Sequence, residues 1–266
     1  MASVSALALA ALAALSAITS SALAAPDRER LPGIMGRDDR TPLDTQEWPW
    51  SAIGRVNRST GGFCTGTLIG PRQVLTAAHC LYDKRTGRRV KPEDLHFLAG
   101  YRRGEFLAHS AAASVVVPDA YSYGTGSVRA DWAIVVLEKA VPIKPVPIRS
   151  DGPPAGAVLM RAGYSQDRAH LLSIHDGCTL GRAIASPGLL THTCDATHGD
   201  SGSPLLMRER QGPAIVGIDV AAGTIAGDTV GFGARRLFDD DRTLYYRGVL
   251  VTDDAGTEEV CCAPLD

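Results

Sequence analysis

The sequence carries no surplus of charge: 27 Lys and Arg stand against 29 Asp and Glu, a formal net charge of −2. That balance gives no electrostatic reason to hold nucleic acid or an anionic membrane. The local cluster Lys84, Arg85, Arg88, Arg89 and Lys91 reads as a solvated loop. Aromatic residues are scarce, at 6%, whereas Gly and Pro number 28 and 16. A chain so punctuated makes many short elements joined by turns, which excludes an architecture of long helices. Beyond the N-terminus no apolar run approaches the ~20 residues that span a bilayer. A C-x-x-C metal motif is missing, as is any internal repeat. With 45% hydrophobic and 21% charged residues over 266 positions, the composition is that of a folded globular protein.

What is present begins with a leader. Val4 to Ile18 is rich in Ala, Leu and Ser and uncharged, and Ala22-Leu23-Ala24 is a small-x-small cleavage signal before Ala25. Residues 1–24 therefore read as a secretory signal peptide, although the usual early Lys or Arg is missing. The expectation is a secreted or periplasmic protein with no stable membrane insertion once the signal is cleaved. Export gives meaning to the six cysteines, Cys64, Cys80, Cys178, Cys194, Cys261 and Cys262, because disulfides persist in an oxidising compartment. Six cysteines allow fifteen connectivities. Cys64–Cys80 and Cys178–Cys194 would each close a loop of about 15 residues, a span worth ~3 kcal/mol in the chain-entropy view. Cys261 and Cys262 are then left to a vicinal bridge, another chain or a free state.

Strand-like runs recur at short intervals: residues 50–56, 66–69, 73–76, 95–99, 113–117 and 133–137, then 157–162, 204–207, 214–220 and 231–235. Between the two series, residues 142–156 hold five prolines and two glycines, which marks a connection between halves. Such spacing predicts β-barrels or sandwiches rather than βαβ units. The chain after the leader suffices for two barrels of ~110–120 residues each. The predicted division is residues 34–148 and 149–252, with an acidic, mobile tail over 253–266.

Three local sequences carry chemistry. The first is Leu75-Thr76-Ala77-Ala78-His79-Cys80 and the second is Asp131-Trp132-Ala133-Ile134-Val135-Val136-Leu137, an acid heading an apolar strand. The third is Gly199-Asp200-Ser201-Gly202-Ser203-Pro204-Leu205. Singly, a packed histidine, a turn acid and a turn-forming composition explain them. In the order His, Asp, Ser across two β-rich halves, they point together to nucleophilic catalysis.

On these motifs the sequence resembles the chymotrypsin-like (trypsin-fold) serine peptidases, from about Ile34 to Thr252. It is most similar there to bacterial exported trypsin-like peptidases related to the glutamyl endopeptidases. Gly202-Ser203-Pro204, where trypsins have Gly-Gly-Pro, and the short interval from Asp131 to Ser201 support that placement. The resemblance implies an all-β fold of two antiparallel six-stranded barrels with the active site at their interface. It implies a secreted serine endopeptidase, monomeric, acting on proteins or peptides with no cofactor and no metal. A serine hydroxyl is a poor nucleophile at neutral pH and needs a base within hydrogen-bond reach. His79 would take the Ser201 proton and return it to the leaving amine, with Asp131 orienting the ring. The N–H groups of Gly199 and Ser201 would form the oxyanion hole. A protease-fold binding protein without turnover, or an esterase using the same triad, is the alternative.

Two further expectations follow from the resemblance. Family members usually start as zymogens, a new N-terminal ammonium pairing with the acid before the serine, here Asp200. Ile34-Met35-Gly36 resembles such a terminus, which would make residues 25–33 a propeptide; equally, Asp200 could cap a turn with no processing. In the S1 pocket, Asp195 lies six residues before the serine, at the base of the pocket. Asp219, Val220 and Ala221 would form a wall, and His198 would stand at the mouth. Glutamyl endopeptidases carry a histidine where this chain has Asp219. Two carboxylates at one pocket would repel Glu and favour Lys or Arg at P1, against a small-apolar or broad pocket.

Overall fold

The computed structural model describes residues 31–125, 128–151, 153–154, 156–181, 189–225, 228–234, 250–252 and 258–260. The leader, residues 25–30 and both Cys261 and Cys262 lie outside the described residues. No helix among the described residues is long and apolar enough to cross a membrane.

The first half is a closed barrel of six strands. Its strands are β2 (Ile53–Arg58), β3 (Phe63–Gly70), β4 (Gln73–Thr76), β5 (Leu95–Ala99), β6 (Ala108–Val116) and β7 (Ala133–Leu137), preceded in the chain by β1 (Thr41–Leu43). The ladder runs β2-β3-β4-β7-β6-β5 and closes where Gly54 pairs with Ala99 and Val56 with Phe97. Closure leaves no open edge for another chain to extend. Leu95, Phe97 and Ala99 point inward and the residues between them are less buried, the period of two expected of a barrel wall. All five residues of β7 are buried, which is why that run is apolar without alternation.

The second half forms a seven-stranded sheet, in the order β1-β9-β8-β11-β12-β13-β10. Six strands come from the second half: β8 (Val158–Gly163), β9 (Leu172–Thr179), β10 (Leu189–His192), β11 (Pro204–Met207), β12 (Ala214–Ile225) and β13 (Asp228–Ala234). The seventh is β1, whose Thr41 and Leu43 pair with Ile174 and Leu172. In this sheet, neighbouring residues serve opposite faces. Met160, Leu206 and Ile215 join the core that continues into the barrel, while Leu159, Leu205 and Val216 pack with Cys178 and Cys194 in a second cluster. The proline-rich connection touches both halves: Val146 N–H donates to Leu68 of β3, and Pro147 accepts from Ile215 of β12. The tail expected to be mobile contributes β15 (Glu258–Val260), paired antiparallel with β14 (Leu250–Thr252).

Both expected disulfides form, Cys64–Cys80 and Cys178–Cys194, each with a sequence separation of 16. A Cys64→Ala/Cys80→Ala chain is expected to lose ~3 kcal/mol of stability. The check is a lowered urea midpoint with unchanged slope.

Candidate active site

His79 lies in a 3₁₀ turn, Ala78–Leu81, directly after β4. Asp131 follows another, Val128–Ala130, and precedes β7, which pairs with β4. The pairing Thr76↔Ala133 thus brings the two residues to the same end of the barrel. Asp131 grips His79 twice. Its Oδ1 accepts the His79 backbone N–H at 2.8 Å, and its Oδ2 lies 2.7 Å from Nδ1. A carboxylate only accepts, so Nδ1 carries the proton and Nε2 is left as the basic ring atom.

Ser201 arrives from the second half on the turn before β11. His79 and Ser201 line one cleft of about 260 Å³, together with Asp219, Val220 and Ala221. Gly199 has φ of 92°. A Cβ there would stand 2.5 Å from the Tyr164 carbonyl oxygen and 2.7 Å from the Phe63 ring, so only glycine fits. Among the described residues, no acceptor takes the N–H of Gly199 or Ser201.

Thr65 of β3 fastens this turn to the barrel. Its backbone N–H donates to the Ser201 carbonyl at 2.9 Å, and its hydroxyl donates to the Gly199 carbonyl at 3.0 Å. The same hydroxyl accepts the Tyr164 N–H at 2.9 Å, and the Thr65 carbonyl accepts from Thr76 at 2.7 Å. Sequence reading missed this residue; its signal is its place beside Cys64.

Asp200 is fully buried, and its partners come from its own chain. Oδ1 pairs with the Arg161 guanidinium of β8, while Oδ2 accepts the Ser165 hydroxyl at 2.7 Å and the Thr197 N–H at 2.8 Å. Arg40 stands 3.9 Å away. Burial pushes the Asp200 carboxyl above its ordinary range, against the pull of Arg161 and these donors. Gly163 makes room for the pair, since a Cβ would run into Ser203, Asp200 and Arg161. The sequence signal was a lone arginine inside the apolar strand β8.

Asp195, expected at the pocket base, turns its carboxylate toward the N-terminal segment. Its carboxylate accepts the N–H groups of Met35 at 2.7 Å and Asp39 at 2.9 Å, and the side chain is buried beneath that segment. Its own N–H donates to His175 Nδ1 at 2.9 Å. Burial lowers the His175 pKa, against the nearby Asp195 charge. Asp39, His175 and Asp195 gather metal-type ligand atoms within 4.8 Å of one another, but these hydrogen bonds already engage Asp195 and His175 Nδ1. His198 lines the cleft, and its carbonyl accepts the Gln166 N–H at 2.6 Å.

A closed six-stranded barrel beside a second antiparallel sheet, with a cleft that His79 and Ser201 both line, is the architecture of the chymotrypsin-like serine peptidases. The family model described as Trypsin matches residues 39–235, and the chain belongs to the trypsin family. It is related to the glutamyl endopeptidases: that of Bacillus licheniformis is 46% identical over 55 residues, 20% of this chain and 17% of the relative. Serine protease SP24D of Anopheles gambiae is 28% identical over 169 residues, 55% of this chain and 59% of that one. Serine protease 23 of Bos taurus is 31% identical over 206 residues, 66% of this chain and 52% of that protein. The chain thus spans under two thirds of the length of each relative. A solved Glu endopeptidase in complex with MPD shares the fold, with a TM-score of 0.65, 23% identity and coverage of 76% of this chain and 93% of that one.

Two variants test the supports of the site. Thr65→Val removes the hydroxyl bonds and is expected to cost ~1–3 kcal/mol, read by urea unfolding. Arg161→Met strands a buried carboxylate and is expected to cost ~3–5 kcal/mol. Adding Asp200→Asn should recover part of that loss, because the charge left behind is then gone.

Proposed function

We propose that this chain is an exported serine endopeptidase that cleaves peptide bonds through an acyl-enzyme on Ser201. The observation that carries the reading is the His79–Asp131 contact of 2.7 Å, which leaves Nε2 basic in the cleft that Ser201 also lines. Nε2 takes the Ser201 proton as Oγ attacks the scissile carbonyl, then returns it to the leaving amine; water repeats the sequence on the acyl-enzyme. Asp131 holds the ring tautomer and stabilises the imidazolium that forms. The free N–H groups of Gly199 and Ser201 serve as donors to the developing oxyanion.

Two finer readings belong to the same proposal. Export is supported by the two disulfides, which require an oxidising compartment. A preference for Lys or Arg at P1 rests on Asp219, the one acid among the described lining residues of the cleft. A carboxylate there attracts a cationic side chain and repels a glutamate.

A fluorophosphonate probe tests the central reading. It is expected to label the native chain covalently and to leave Ser201→Ala unlabelled; an unlabelled native chain overturns the assignment. Asp131→Asn is expected to lower kcat by about 10⁴ through the wrong ring tautomer, with the fold unchanged by circular dichroism.

A further inference from the structure

Beneath the cleft lies a histidine that neither the triad nor the pocket wall accounts for. We propose that His192 is a positioning residue for substrate specificity: it holds Asp219 as the anionic floor of the pocket that receives a Lys or Arg side chain. This deepens the peptidase reading above and rests on it.

Asp219 is fixed beside the nucleophile by its backbone. Its N–H donates to the Ser203 carbonyl at 2.8 Å and its carbonyl accepts the Gly202 N–H at 2.7 Å. A register shift in the β12–β13 ladder falls between Asp219 and Ala221, where the strand meets the cleft. The carboxylate is nearly closed off from solvent, its side chain only 6% exposed. A buried carboxylate needs a donor or a cation to remain useful as a charge.

His192 is the side chain placed to supply one. It ends β10, its side chain has 0% exposure, and its Nε2 lies 3.2 Å from Asp219 Oδ1. The ring is oriented from behind: Nδ1 accepts the Cys194 N–H at 3.2 Å. With Nδ1 accepting, the neutral ring carries its proton on Nε2, the atom that faces the carboxylate. The two atoms stand at ion-pair distance without the alignment of a hydrogen bond, and neither has another partner among the described residues. The Cys178–Cys194 disulfide fixes the segment from which that N–H comes.

The rest of the cleft suits the same ligand. Asp195 is engaged by Met35 and Asp39, so it adds no second charge to the lining. Ala196, Val220, Ala221 and Ala222 offer an apolar wall to a long aliphatic stem once Pro32 and Gly33, which pack here against Ala196 and Ala222, are displaced. Lys84, the cation on the lining, is exposed to solvent, so its repulsion is screened.

The test compares the native chain, His192→Phe and His192→Gln on matched peptide substrates with Arg, Lys, Ala or Glu at P1. The native chain is expected to prefer Arg and Lys. His192→Phe is expected to lower the Arg-over-Ala ratio of kcat/KM roughly 10- to 100-fold, the worth of a hydrogen bond to a charged group. The loss should fall on KM for Arg rather than on kcat. His192→Gln, which keeps a donor, should restore most of the ratio, which no purely structural role would produce. An independent readout is arylamidine affinity of the Ser201→Ala chain, expected to weaken to the same degree when His192→Phe is added. An unchanged ratio and amidine affinity in folded His192→Phe overturns the proposal. A native chain that labels with fluorophosphonate but shows no Arg or Lys preference overturns it while leaving the peptidase reading intact. A native chain that does not label overturns both.

Discussion

Two consecutive residues of β3 hold the whole site in register. Adjacent residues of a strand point to opposite faces, and here each face is used for one catalytic segment. Cys64 is bonded to Cys80, the neighbour of His79. Thr65 takes hold of Ser201 and Gly199 through its N–H and hydroxyl, and of Tyr164 through the same oxygen. A covalent bond fixes the histidine segment and a buried hydrogen-bond fan fixes the serine turn, both from a strand of a closed barrel. The segments bearing His79 and Ser201 are far apart in the chain, so without a shared anchor their relative position would drift with every adjustment between the halves. A misplacement of about 1 Å can cost 10²-fold in rate. Asp131 then adds the last constraint, gripping both the backbone and the ring of His79.

The buried carboxylate of Asp200 sets a second requirement, because a full charge without a partner is too costly to leave in the interior. In this chain the partner is Arg161, carried on β8 and therefore in place as soon as the second sheet forms. The Ser201 turn is thereby tied to β8 through Asp200. The N-terminal segment has a different attachment. Arg40 is buried among Asp38, Asp167 and Asp200, and Met35 and Asp39 donate to Asp195. Residues 35–40 thus behave as an integral flank of the second sheet, continuous with β1.

Much of this was legible in the sequence because it is local. Short strands broken by Gly and Pro, the all-apolar run of β7 and the proline-rich connection follow from periodicity and turn chemistry. The His79, Asp131 and Ser201 segments announce themselves by residue type and order. What escaped was set by contacts at long range. Asp195 sits where the resemblance puts a pocket base, but Met35, 160 residues away, and Asp39, 156 residues away, supply the donors that turn it aside. Thr65, Arg161 and His192 look like ordinary strand residues until the sheets are assembled. The strand β1 was missed for the same reason: three residues carry almost no periodic signal, and their pairing partner lies in the other half.

The charge of the pocket shows how little composition decides. Asp195 and Asp219 are both carboxylates near the serine, and by count alone they would reinforce each other. Backbone N–H groups meet one and an imidazole faces the other, so the two carboxylates stand in different surroundings. Specificity of this kind is a difference between competing side chains, and a single unneutralised carboxylate both attracts a cation and rejects an anion. Diverting Asp195 to the N-terminal segment therefore does more than anchor that segment: it leaves Asp219 as the one acid among the described residues that line the cleft.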